Sequence, residues 1–266
     1  MSYNPVVPSG GLVGWRFLQR TYEVQLETFS TSGAMQRDIA YFEENISNIH
    51  TAEALVSDHR LLNVALGAFG LQDDLPNKYF IQRILSDGTS DDDALANRLA
   101  DDRYKKLSDA FGFGPLALPQ TTLSGKMKSV LDQFRFQQFE QAIGEQDETM
   151  RIALFAEREL GALANGTQSD DAKWFSIMGL PPLRELFETA LGLPQSFGQI
   201  DIDQQLEIFR DRASSVLGVS SVDEFADPAH LERLVTTYHA RAQIDQFSNL
   251  TSPASVALTL LQSIQV

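Results

Sequence analysis

Met35-Gln36-Arg37-Asp38-Ile39-Ala40-Tyr41-Phe42-Glu43-Glu44-Asn45-Ile46-Ser47-Asn48-Ile49 decides the fold class of this chain. Met35, Ile39, Phe42, Ile46 and Ile49 recur every three or four residues, while Arg37, Asp38, Glu43 and Glu44 fall mainly elsewhere. That spacing puts the apolar side chains on one helical face. Upstream, Leu18, Tyr22, Leu26 and Phe29 repeat the same period. The short Thr31 to Gly33 connection makes these two segments an antiparallel hairpin. Residues 1–14 hold Pro5, Pro8, Gly10, Gly11 and Gly14, which predicts a flexible arm with helix starting near Trp15.

Working toward the C-terminus, short helices are expected over Ala52 to Val56, Arg60 to Phe69, Asn77 to Leu85 and Arg103 to Phe111. Gly70 and Gly88 serve as stops, and the acidic run Asp91 to Asp93 suits a helix N-terminus. The breaker-rich Phe111-Gly112-Phe113-Gly114-Pro115 stretch, followed by Pro119, marks a lobe boundary. Ser124 to Leu163 reads as two long helices separated at Gly144. A second set of helices is expected over Trp174 to Met178, Leu183 to Leu191, Gln204 to Leu217 and Leu231 to Phe247. Ser221 and Glu224 have capping-box spacing, and Asp227-Pro228 and Ser252-Pro253 pair an N-cap residue with proline at the first helical position. No run of alternating β-branched residues bounded by hairpin turns occurs. The expectation is an all-α, multi-helix bundle.

Two segments are related. Ala65-Leu66-Gly67 recurs as Ala190-Leu191-Gly192, and Leu99-Ala100-Asp101 as Phe225-Ala226-Asp227, in order and at nearly constant offset. An old duplication produces that pattern. The expected organisation is an arm over 1–14, a helical hairpin with the first lobe over 15–118, long connecting helices over 119–168, and a second lobe with a C-terminal helix over 169–266, as separate units or as one continuous domain. The anchors place the related lobes at about Ala52 to Phe113 and Trp174 to Tyr238, with the hairpin outside the repeat.

Composition narrows function by exclusion. The chain has 266 residues, no cysteine, and a net charge of −15 from 21 Lys and Arg against 36 Asp and Glu. Disulfides, thiolate metal sites and a cysteine nucleophile are therefore excluded. The average surface repels phosphate backbones and anionic headgroups, so nucleic acid is not an expected partner. Val256 to Leu261 is the longest strongly apolar tract, far short of the roughly 20 residues that span a bilayer, and Met1 to Arg20 lack the pattern of a secretory signal. A soluble, cytoplasmic protein without membrane insertion is expected.

Motifs of chemistry are sparse. His50, His59, His230 and His239 are the histidines, and each is read as structural or exposed rather than catalytic. No serine sits in a Gly-x-Ser-x-Gly elbow, and no Ser-x-x-Lys or Glu-x-x-His pair occurs. Asp227-x-x-His230 is better explained by an N-cap, and Asp87 to Asp91 departs from a calcium loop where Arg98 stands in place of the bidentate glutamate. Asp73-Asp74 and Asp170-Asp171 read as turn and cap residues. Ser9 to Gly14 lacks the strand and the lysine of a phosphate loop, and Arg103, Lys105 and Lys106 read as a face of local ion pairs. No catalytic, metal or cofactor residue is assigned and no cofactor is expected.

Gly14-Trp15-Arg16-Phe17-Leu18-Gln19-Arg20-Thr21, Arg37 to Phe42, Asp58-His59-Arg60-Leu61-Leu62, Ala65 to Leu71 and Leu95 to Tyr104 together resemble an alphaproteobacterial domain-of-unknown-function family. The resemblance covers most of the first half clearly and the second half loosely. It implies a flagellar setting, because genes of that family often lie among flagellar genes, and it implies no activity or site. The chain lacks the Asn-rich N-terminal signature of a flagellar rod or hook subunit, which counts against an axial role. The expectation is a non-enzymatic protein–protein interaction protein associated with flagellar assembly or motility, an adaptor or chaperone with a protein partner. A structural subunit assembling through its terminal helices and an enzyme without recognisable motifs are the alternatives. Val256, Leu258, Leu260, Leu261 and Ile264, on a helix over Ser252 to Ile264, are the candidate partner-binding residues; that helix and the Gly14 to Ile49 hairpin each need a surface to bury against, the protein's own core or a partner.

Overall fold

The computed structural model describes residues 3–99, 101–115 and 117–250, all-α as the periodicity requires, with no strand among them. Thirteen α-helices follow one another: α1 (Gly11–Ser30), α2 (Gly33–Asn45), α3 (Ala52–Ser57), α4 (His59–Ala68), α5 (Lys78–Asp87), α6 (Leu95–Arg98), α7 (Asp102–Phe111), α8 (Ser124–Gly144), α9 (Glu148–Ala164), α10 (Asp170–Gly179), α11 (Pro181–Leu191), α12 (Ile202–Leu217) and α13 (Pro228–Leu250). Short 3-10 turns join several of them. The expected helix Ser252 to Ile264 lies outside the described residues. No described helix is long and apolar enough to cross a membrane.

The chain forms two compact units. One contains Arg20–Ile143 and the opening residues up to Val6; the other contains Val7–Gln19 and the chain from Gly144 onward. In the first unit the stripe from α2 is buried as its spacing predicts, with Met35, Ile39, Phe42 and Ile46 packed among Leu62, Leu66, Ile81 and Phe111. The Phe111 to Pro119 punctuation lies inside this unit, because Met127, Val130, Leu131 and Phe134 of α8 enter the same core. The unit is closed where α8 ends, at the glycine expected to separate the two long helices.

The second unit is built around aromatic side chains. Trp174 and Phe187 meet edge to face with centroids 5.8 Å apart and Phe187 and Phe225 at 5.6 Å, while Phe197 and Phe209 lie 5.2 Å apart with planes tilted by 32°. Large flat groups exclude much water per residue, and edge-to-face pairs add to that burial. Asp170 organises the polar boundary of this core. Its Oδ1 accepts hydrogen bonds from Val222 N (2.9 Å) and Ser221 Oγ (3.0 Å), its Oδ2 from Arg210 Nη2 (2.6 Å) and Trp174 Nε1 (3.1 Å). Burial pushes this carboxyl up, but the bonds from Val222, Arg210 and Ser221 outweigh it and hold it below the usual range. The capping box at Ser221 and Glu224 forms as the spacing predicts.

Both units run through the same order of elements. α2 packs on α4, and α9 on α11; α3 packs on α4 and α5, and α10 on α11 and α12; α5 packs on α7, and α12 on α13. Asp101 caps α7 by accepting from Arg103 N, and Asp227 does the same for α13 by accepting from Ala229 N. The repeat therefore starts earlier than its sequence anchors: α2, expected to form an antiparallel hairpin with α1 outside the repeat, packs instead on α4 and has its counterpart in α9. One anchor is also displaced. Gly67 lies inside α4, whereas Gly192 ends α11 with φ +65°. The glycine that matches Gly192 is Gly70, with φ +67°, since both supply the left-handed turn that stops a helix and both precede a leucine.

The N-terminal arm differs from its sequence reading. Gln25 accepts from Val6 N at 2.6 Å and donates Nε2 to Val6 O at 3.2 Å, tying the arm down like a strand partner. Helix α1 begins at Gly11 rather than near Trp15. Gly14 permits this: a Cβ there would fall 1.6 Å from the Ser9 carbonyl oxygen, so only glycine lets the arm lie along the first turn.

Candidate functional site

The candidate partner-binding residues Val256, Leu258, Leu260, Leu261 and Ile264 lie outside the described residues. The residues the family resemblance singled out are fasteners. Tyr41 Oη donates to Asp58 Oδ2 at 2.7 Å, while Asp58 Oδ1 accepts from Arg60 N and Leu61 N and so caps α4. The Arg60 guanidinium lies 3.9 Å over the Tyr41 ring and donates to the Arg37 carbonyl at 3.0 Å. Arg103 chelates Asp101 and reaches the Gly70 carbonyl at 2.6 Å, the local ion pairing its sequence position predicts. Tyr104 donates to Asp74 at 2.6 Å, and burial followed by Asp74 pushes its phenol up to about 12.

Among the histidines, His50 and His59 are exposed, and His230 places Nδ1 3.0 Å from the Glu224 carbonyl. Asp227 is the cap of α13, as its position before Pro228 predicts. His239 is different. It is fully buried, and neither Nδ1 nor Nε2 has a hydrogen-bond partner among the described residues. Trp15 lies on one side at 5.2 Å between centroids, and Tyr238 lies at 5.3 Å. Burial depresses the imidazole from an ordinary 6.5 to about 4, against a smaller opposing pull from Asp147. The ring is neutral at physiological pH, with one donor and one acceptor both unused.

His239 borders a cleft of about 820 Å³ in the second unit. Its walls come from Ser9 to Gly11, the start of α9, one side of α11 and the distal half of α13. Four carboxylates line it: Asp147, Glu148, Glu185 and Asp245. Asp147 is set by helix capping, its Oδ1 accepting from Thr149 N (3.0 Å) and Thr149 Oγ1 (2.6 Å). Its Oδ2 lies where a side chain on Gly10 would have to pass, 3.1 Å from an added Cβ. Glu148 is engaged by Arg151, which donates Nε at 2.9 Å and Nη2 to the other oxygen.

Glu185 has only a distant share of that relief, from the charge of Arg151. It is partly buried and makes no hydrogen bond or ion pair among the described residues; burial and then the Glu148 charge push its carboxyl above the ordinary value. Tyr238 is raised for related reasons, burial first and then Glu185 and Asp147. At the outer end of the cleft Phe247 is 60% exposed, and Ile244 on the same helix is 62% exposed. The cleft thus has an acidic wall, an unsatisfied imidazole and an apolar edge. No group of three or more His, Asp or Glu side chains among the described residues is arranged to hold a metal ion.

Asp147 and Glu185 have no place in the sequence reading, which takes His239 as structural or exposed. His239 carried a signal: Leu231, Leu234, Val235 and Tyr238 set the buried face of α13, and position 239 continues it one turn beyond Val235. Asp147 carried another, lying just before the helix that follows the Gly144 break. Glu185 had none, since its burial depends on what packs beside α11.

No curated protein matches this sequence. In fold it is similar to a protein from Agrobacterium tumefaciens known from its crystal structure, at 24% identity and a TM-score of 0.73, covering 91% of this chain and 99% of that one. The family described as "Protein of unknown function (DUF1217)" matches residues 68–231, a span that takes in most of both repeated lobes and the cleft residues Asp147, Glu148 and Glu185. The chain belongs to that family.

Proposed function

We propose that this protein is a non-enzymatic helical adaptor or chaperone that holds a segment of a partner protein in flagellar assembly or motility. The flagellar setting rests on the resemblance carried by the Gly14 to Tyr104 motifs. The binding role rests on one observation: the second unit keeps an open cleft whose polar wall adjoins exposed Ile244 and Phe247. A polar recess beside an apolar edge is the composition with which protein surfaces receive peptide segments. His239 supports binding rather than turnover, because among the described residues no carboxylate orients its ring and no hydroxyl stands within hydrogen-bond reach of it.

Affinity capture from motile cells that make the protein, paired with swimming assays of a deletion strain, tests this reading. Recovery of flagellar proteins together with impaired swimming is expected. Normal swimming with no flagellar protein recovered contradicts it. Sedimentation of the pure protein separates an adaptor from a self-assembling subunit, since an adaptor stays monomeric at high concentration.

A further inference from the structure

We infer that the cleft bounded by Asp147, Glu185 and His239 is a recognition site for an organic cation, an ammonium or guanidinium group. The adaptor reading supplies one source, a lysine or arginine side chain of the partner segment, and the inference deepens that reading.

Three observations converge on a cation. First, the lining carries Asp147, Glu148, Glu185 and Asp245 and no lysine or arginine, and among the described residues Arg151 pairs with Glu148 and only partly offsets the charge of Glu185. An anionic ligand would meet repulsion from the other three. Second, His239 is buried beside the cleft with both ring nitrogens unsatisfied among the described residues. An N–H donor that reaches the ring from the cleft supplies the partner its acceptor nitrogen lacks. Third, Glu185 is a partly buried carboxylate without an ion pair among the described residues, its carboxyl pushed above the ordinary value by burial and by Glu148. A bound cation reverses that penalty directly. An apolar occupant would leave all of these groups worse solvated than before. Trp15 and Tyr238, which flank the imidazole, fix its ring plane, so the site is held in place before the ligand arrives.

The test uses the full chain at neutral pH and low salt, with argininamide, putrescine and a blocked Gly-Arg-Gly tripeptide as probes and acetate as the anionic control. Titration calorimetry follows binding, and imidazole NMR reports on His239. One saturable site with Kd tighter than about 1 mM for at least one cationic probe is expected, weakened about tenfold or more by Glu185→Gln, with no binding of acetate. Binding of the tripeptide alone identifies a chain segment as the source. Binding of the small amines alone identifies a free metabolite. The inference is overturned if no cation saturates the folded protein, or if Glu185→Gln, shown to be folded by circular dichroism, binds as the wild type does. Failure here with partner capture intact removes only the cation site. Cation binding in a protein that captures no flagellar component, and whose deletion leaves swimming normal, removes only the adaptor reading.

Discussion

The indole of Trp15 lies 5.2 Å from the imidazole of His239, the two planes inclined at 36°, and together they seal one side of a buried, unpartnered histidine. Trp15 is 2% exposed and His239 is fully buried. The contact joins the opening turns of α1 to α13, so the site depends on how the glycine-rich opening is threaded.

That imidazole makes stability sensitive to acid. It titrates at about 4 in the folded protein against 6.5 when unfolded, so below pH 6.5 the unfolded chain binds more protons and stability falls until about pH 4. The full effect is about 3 kcal/mol. Urea unfolding at pH 7 and pH 4.5 should show the loss in the wild type. His239→Phe, which keeps the ring volume and removes the titration, should lose less stability over that interval.

Glu185 acts with the opposite sign. Its folded carboxyl titrates above its ordinary value, so its ionised form is unfavourable at neutral pH and the penalty fades as acid protonates it. Glu185→Gln should raise stability at pH 7 by a few tenths to about 1 kcal/mol, after allowance for solvent screening of a partly exposed group. The gain should shrink toward pH 4, measurable in the same unfolding series.

Gly14→Ala should be among the most damaging small substitutions, since the added methyl falls 1.6 Å from the Ser9 carbonyl oxygen. Either the arm or the first turn of α1 must move, at a cost of about 2–4 kcal/mol. Gly125→Ala, with nothing within 4 Å of the new atom, is the control and should be neutral or slightly stabilising. Thermal midpoints of the two variants compare them, and imidazole NMR should show His239 disturbed in the first alone.

Asp170→Ala removes the acceptor shared by Val222, Ser221, Arg210 and Trp174 and should cost about 3 kcal/mol or more. Asp171→Ala, on an exposed neighbour that pairs with Arg210, should cost less than about 1 kcal/mol. Denaturant midpoints separate the two.

What the sequence made legible was local. The Met35 to Ile46 stripe, the Ser221 and Glu224 capping box, the stops at Gly70 and Gly88 and the break at Gly144 each depend on residues within a turn or two, and each is present in the fold. The arm was misread because its restraint comes from Gln25, a side chain far along the chain. The triplet at Gly67 was matched to Gly192 by letters; backbone conformation pairs Gly70 with Gly192 instead. Of the cleft almost nothing was legible: Asp147, Glu185 and His239 come from three separate helical regions, and only tertiary packing gathers them. The family motifs proved to be internal fasteners, such as Tyr41 on Asp58, so a resemblance carried by them speaks to architecture before it speaks to binding.

The adaptor role is tested most directly by capturing partners with wild-type protein and with Glu185→Gln from motile cells, alongside swimming of the deletion strain complemented by each. The wild type should recover flagellar protein and restore swimming, and Glu185→Gln should do both less well while remaining folded. A deletion strain that swims normally, with no flagellar protein on the wild-type bait, would contradict it.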